Sequence, residues 1–118
     1  MDLQLERNLE AFLRLIRRPP SEVGENMSFT LGQCRFVLEA LPDRLLLTGM
    51  VTAVRPNILL RVLQHCIPQN TQGIVQRAFI LEGELMINCE LPPEEDPLFW
   101  YQIVCWQQRI LTTYAGRK

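Results

Sequence analysis

The most constraining feature of the sequence is a run of three short alternating segments, FTLGQCRFVLEALPDRLLLTG, which begins at Phe29. Met27, Phe29 and Leu31 alternate with polar residues, which is the period-two pattern of a half-buried strand. Gly32-Gln33 then supplies a two-residue turn, because glycine takes the positive φ that such hairpins need. Leu41-Pro42-Asp43 supplies a second turn. The run therefore predicts a three-stranded antiparallel meander.

The second and third strands of this meander differ in how they alternate. The second carries Cys34, Phe36 and Leu38 on one face and more polar residues on the other. The third, Leu45 to Val51, is almost continuously apolar, which is typical of a central strand or of one covered on both faces. A second hairpin is predicted from Ile74 to Leu91, with its turn at Glu82-Gly83.

Three other segments have the apolar spacing of helices. The first has an apolar stripe and ends at Arg18, since the residue before a proline avoids the helical region. The stripe consists of Leu5, Leu9, Phe12, Leu13 and Ile16. The second helix is predicted from Ile58 to Cys66 and the third from Leu98 to Tyr114. The resulting order, αβββαββα, predicts an α+β fold of two layers, an antiparallel sheet with helices packed on it.

Length and charge narrow the class of protein. A chain of 118 residues forms a single domain, expected over residues 1–118, with enough apolar residues for its own core. A net charge of −1 argues against a nucleic-acid partner, which needs a clustered basic face. The sequence has no apolar run of about twenty residues and no signal-peptide core, so we expect a cytosolic protein without a membrane span.

No residue pattern in the chain indicates catalysis. His65 and Cys66 are adjacent on a predicted helix, where their side chains point about 100° apart and do not form a nucleophile pair. The glycines form no phosphate-binding motif, and no CxxC pair indicates zinc. We therefore expect no catalytic residue, no metal and no cofactor, and we predict that the four cysteines are reduced core thiols.

Two helical segments leave alternative interpretations open. The aromatic run FWYQIVCW, from Phe99 to Trp106, covers nearly the whole circumference of the last helix. Its second side packs either on another element of the same chain or on another polypeptide, as Trp and Tyr anchors commonly do. The stripe of the first helix is likewise either core or part of an open groove.

The order of elements resembles the class I chaperones of bacterial type III secretion, the CesT/SycE-like family. The resemblance runs from about Leu5 to Tyr114. Its motifs are the LxxFL pattern at Leu9, the FTLGQCRFVLEAL and RLLLTG strands, the ILLRVLQHC helix, the GELMINCELP strand and the closing aromatic helix. All of them are patterns of hydrophobic alternation at set places.

This resemblance implies a cytosolic homodimer of the bacterial cell without enzymatic activity. Such chaperones bind the N-terminal region of a secreted effector, keep it competent for secretion and help present it to the export machinery, including the secretion ATPase. The predicted effector-binding residues are Leu9, Phe12, Leu13, Ile16, Phe29 and Leu31. The predicted dimer interface consists of Leu59, Leu60, Val62, Leu63 and Ile67, which give the middle helix more apolar surface than one sheet face covers.

An alternative interpretation is a longin- or roadblock-like α/β adaptor that dimerises in a signalling or trafficking complex. It has the same mixture of helices and antiparallel strands, and it differs in how strands pair across the dimer.

Overall fold

The computed structural model describes residues 2–52 and 57–115, which form one antiparallel sheet and three α-helices. The elements are α1 (Leu3–Leu15), β1 (Asn26–Leu31), β2 (Cys34–Ala40), β3 (Leu45–Thr52), α2 (Ile58–Leu63), β4 (Gln76–Leu81), β5 (Glu84–Leu91) and α3 (Pro97–Thr113). Two 3₁₀ turns, Pro20–Glu22 and Pro68–Asn70, lie in the connections after α1 and α2. The α+β class and the antiparallel sheet are confirmed.

The sheet has five strands in the order β1-β2-β3-β5-β4. The nearly continuous apolar strand β3 is central, as its composition predicts. Leu31 pairs with Cys34 across the first turn, in which Gly32 has φ of 61°. Glu82 and Gly83, with φ of 52° and 79°, form the turn between β4 and β5. Positive φ at both positions is the geometry of a tight hairpin turn that matches the strand twist.

The first two helices end earlier than predicted. Arg17 adopts a left-handed conformation with φ of 61°, and the Arg18 N–H donates to the Leu13 carbonyl at 2.8 Å. This is a Schellman ending, with arginine where glycine is usual. After α2, the N–H groups of His65 and Cys66 bond three residues back, so the last turn tightens out of α geometry.

Strand β4 begins two residues later than predicted. The Ile74 N–H donates to the Thr71 carbonyl at 3.0 Å, which closes a turn at the position where the apolar pattern predicts a strand. Pairing with β5 begins only at Gln76, opposite Cys89.

The core lies between one face of the sheet and the two long helices. Helix α3 packs on β2, β3 and β5, and α1 packs beside α3. The Phe12 ring meets the rings of Phe29 and Trp100 edge to face, at centroid distances of 5.9 and 6.2 Å. Trp100 is buried, and its indole N–H donates to the Pro92 carbonyl at 2.9 Å. The aromatic helix is thus covered mainly by its own chain.

Helix α3 packs closely over Gly49 of β3. A Cβ atom at this position would lie 2.8 Å from Gln107 Oε1 and 2.9 Å from a methyl group of Leu111. The Gln107 amide, itself buried, donates to Gln76 Oε1 at 3.0 Å. Gln76 is the only buried residue of β4, so this hydrogen bond ties the edge strand to the core.

Candidate protein-interaction surfaces

Three of the four thiols are placed where thiolate formation is unfavourable. Burial raises the pKa of Cys34 and Cys66, and it raises the pKa of Cys89 to about 12. A nucleophilic cysteine needs the opposite, a pKa lowered towards neutrality. All four cysteines are free; Cys34 and Cys89 are core residues as predicted, whereas Cys66 and Cys105 are half-buried.

His65 and Cys66 contact different partners. The Nε2 atom of His65 lies 2.9 Å from the Tyr114 hydroxyl, while the Cys66 thiol donates to the Val62 carbonyl at 3.4 Å. Across residues 2–52 and 57–115, no three His, Cys, Asp or Glu side chains are grouped so as to hold a metal ion. None of the helices in these ranges is both long and apolar enough to cross a membrane.

Seven of the eleven exposed large apolar side chains among the described residues lie on α2, on the segment after it and on β4, and α2 contacts β4. Ile58 and Val62, four residues apart on one helix face, are buried and anchor α2 to the core. Apolar side chains of α2, of the segment after it and of β4 remain exposed. We call this set the α2–β4 surface: Leu60, Leu63, Ile67, Val75, Phe79, Ile80 and Leu81.

The predicted dimer residues fall on both sides of α2. Leu60 is 67% exposed, and Leu63 and Ile67 are exposed as well. Leu59 is half-buried against the core, and Val62 is wholly inside it. The contribution of β4 was missed by sequence reasoning. Its signal was the uninterrupted apolar run Phe79–Leu81, which places apolar side chains on both faces of an edge strand.

The structure brings the predicted effector-binding residues together, but in the core. The stripe of α1 lies beside β1, and its side chains are buried together with Phe29: Leu9, Phe12, Leu13 and Ile16. Only Leu31, at the end of β1, is half-exposed. Contact between a client and the buried side chains requires α1 to move away from the sheet, so their role in binding stays a prediction.

Both edges of the sheet are open within the part of the chain that the structure describes. Strands β1 and β4 are the terminal strands, each paired on one side only. On β1 the side chains of Asn26, Ser28 and Thr30 are exposed. An unpaired edge of this kind is a template on which an extended peptide adds as a further strand.

Comparison with known proteins finds a matching family model and a similar protein. The SsaM family model matches residues 2–114. The secretion system apparatus protein SsaM of Salmonella typhimurium is 28% identical over 104 residues, which cover 86% of this chain and 85% of that protein.

Two solved structures share the fold. A chain of the HopA1–SchA chaperone–effector complex aligns with a TM-score of 0.69 at 13% identity, covering 97% of each chain. A chain of the heterodimeric ExoU–SpcU complex from the type III secretion system of Pseudomonas aeruginosa aligns with a TM-score of 0.61 at 15% identity, covering 90% of this chain and 97% of that one.

Proposed function

The chain belongs to the SsaM family, and from that premise we propose that it is a cytosolic chaperone of a bacterial type III secretion system. In this proposal it binds the N-terminal region of a secreted effector and keeps that region competent for export. One observation carries the proposal: the fold is shared, over nearly its whole length, with chains from two chaperone–effector complexes. In a later step of this proposal, the chaperone presents the bound effector to the secretion ATPase.

The open sheet edge gives this function a physical basis. A disordered client loses conformational freedom when it binds, so it needs an extended interface to offset that cost. The outer edge of β1 offers unpaired main-chain groups, and the half-exposed Leu31 offers an apolar contact at its end. In this arrangement the buried stripe of α1, including Phe12, holds the helix beside β1 and shapes the site without touching the client.

We further propose a homodimer joined through the α2–β4 surface. Large exposed apolar patches usually mark interaction sites, whereas single exposed apolar residues are common on any protein surface. Leu60 and Leu63 on α2 and Ile80 on β4 are side chains that a second copy would cover. A symmetric dimer also doubles the surface available to a wrapped client. Val62 supports α2 from inside and is not itself a contact in this dimer.

A second candidate function is that of a permanent subunit of the secretion apparatus. The observation that favours it is the name of the Salmonella relative, a secretion system apparatus protein. The same surfaces would then hold a partner that stays in the cell.

The secreted proteins of a deletion strain distinguish the two candidates. Quantitative mass spectrometry of the culture medium should show loss of one protein or a few, with the others unchanged, and supplying the chain in trans should restore export. Loss of every protein that uses the system would instead assign the chain to the apparatus. Unchanged export of all of them would overturn both candidates.

A further inference from the structure

Three clefts join into one groove at one end of the sheet. The first two, about 560 and 300 Å³ in volume, share Asp2, Leu5 and Leu41-Pro42. The third, about 460 Å³, shares Pro93-Glu94 with the second. We call the three together the end groove. It passes the N-terminus of α1, the turn between β2 and β3, and the connection from β5 to α3.

The strand order explains why the groove is continuous. Strands β1, β3 and β4 begin at this end of the sheet, and β2 and β5 finish there. The groove therefore crosses the ends of all five strands. At a strand spacing of about 4.8 Å this is roughly 19 Å, which an extended peptide of about six residues spans.

The charge of the end groove differs in sign from that of the rest of the chain. Six acidic residues line it against two basic residues, Arg44 and Arg77. The acidic residues are Asp2, Glu25, Glu39, Asp43, Glu90 and Glu94. The whole chain has thirteen acidic and twelve basic residues, so outside the groove seven acidic residues face ten basic ones. Negative charge is thus concentrated along one path in a protein of nearly balanced charge.

Asp2 caps α1 by accepting from the Gln4 N–H at 3.3 Å, and the other five carboxylates form no hydrogen bond with another described residue. The ion pairs formed between described residues are Arg18–Glu22 and Arg35–Glu84, and neither contains a residue of the groove. Apolar side chains, among them Leu41 and Pro93, also line the groove. A peptide that fits must therefore offer both positive charge and apolar side chains.

We propose that the end groove binds a client segment of about six extended residues in which lysine or arginine alternates with apolar residues. The inference rests on the proposed chaperone function for the existence of a client, and it adds the chemistry of one bound segment. A second copy of this chain is a poorer occupant, because a symmetric contact of groove with groove brings like charges together.

The test uses two matched double variants that each remove two negative charges. Glu39→Gln with Asp43→Asn changes the end groove, and Glu10→Gln with Glu82→Gln changes positions outside it; each pair has one half-buried and one exposed residue. The probe is a fluorescein-labelled peptide of alternating lysine and leucine, compared with one of alternating glutamate and leucine. Each exposed charge contact is weak, so we expect the groove variant to bind the lysine peptide about three- to tenfold less tightly. The control should match the unmodified protein within about twofold, and more salt should weaken binding.

Three results would overturn the inference. The first is equal binding of the two peptides, and the second is a loss of affinity in the control variant as large as that in the groove variant. The third is that the amide NMR shifts caused by the lysine peptide fall on the α2–β4 surface. Melting temperatures of both variants establish that the fold is intact. The N-terminal fragment of the effector lost in the deletion strain separates this inference from the proposed function. If that fragment binds both variants equally, the groove assignment fails and the chaperone stands; if it does not bind the unmodified protein, the chaperone function fails.

Discussion

Replacing Phe12 by alanine separates a core role of α1 from a direct role in client binding. The Phe12 side chain is 0% exposed and makes edge-to-face contacts with Phe29 and Trp100. Removing a buried phenylalanine ring costs about 3–5 kcal/mol, which combines lost burial with the cavity left behind. The two aromatic contacts place the expected value in the upper half of that range. Since small domains have a total stability of about 5–15 kcal/mol, Phe12→Ala should remove a large part of it.

Urea unfolding followed by circular dichroism measures this effect. Leu15→Ala is the matched control, because Leu15 lies on the same helix and is 42% exposed. It should change the free energy of unfolding by less than about 0.5 kcal/mol. If Phe12→Ala costs less than about 1 kcal/mol and yet abolishes client binding, the core assignment is wrong and the side chain lines a groove.

Three further outcomes follow from the packing. Gly49→Ala forces α3 away from β3 and should lower the free energy of unfolding in urea by about 1–3 kcal/mol. Gly24→Ala is the control, because its added methyl group meets no atom closer than 4.0 Å, and it should lower that free energy by less than about 0.5 kcal/mol. Equal losses in the two variants would contradict the close approach of α3 to β3. Folding raises the pKa of the Cys89 thiol from 9.0 to about 12, so this thiol ionises at lower pH in the unfolded chain than in the folded one. Its contribution to the free energy of unfolding should therefore be complete below pH 9 and should fall as the pH rises towards 12. Ellman's reagent at pH 8 should reach this thiol only after denaturation. Leu60→Asp should convert the proposed dimer to a monomer of 13.7 kDa by light scattering, and a persistent dimer would place the interface elsewhere.

The three strands of the meander were predictable because their signal is local. A period of two residues between tight turns sets both the limits and the inward face of β1 and β2, and the apolar content of β3 indicates its central place. The end of α1 was less predictable, because the left-handed conformation of Arg17 depends on bonds to carbonyls of the preceding turn. The helix propensity of a single residue does not predict such a hydrogen bond.

The candidate site was less predictable than the fold. An amphipathic stripe shows which face of a helix is apolar, but it does not show what covers that face. The stripe from Leu9 to Ile16 is most simply core, but its pattern is also compatible with a groove until the packing of α3 is known. The end groove has the same limitation, since residues as distant as Asp2 and Glu94 meet only through the strand order.

In the complex that we propose, two copies of this chain hold the N-terminal region of one exported protein. Light scattering of the chain co-purified with the N-terminal fragment of the effector lost in the deletion strain tests it most directly. The expected complex has twice 13.7 kDa plus the mass of one fragment. A fragment that elutes alone, or a chain that binds the effector only when that fragment has been removed, would contradict this arrangement.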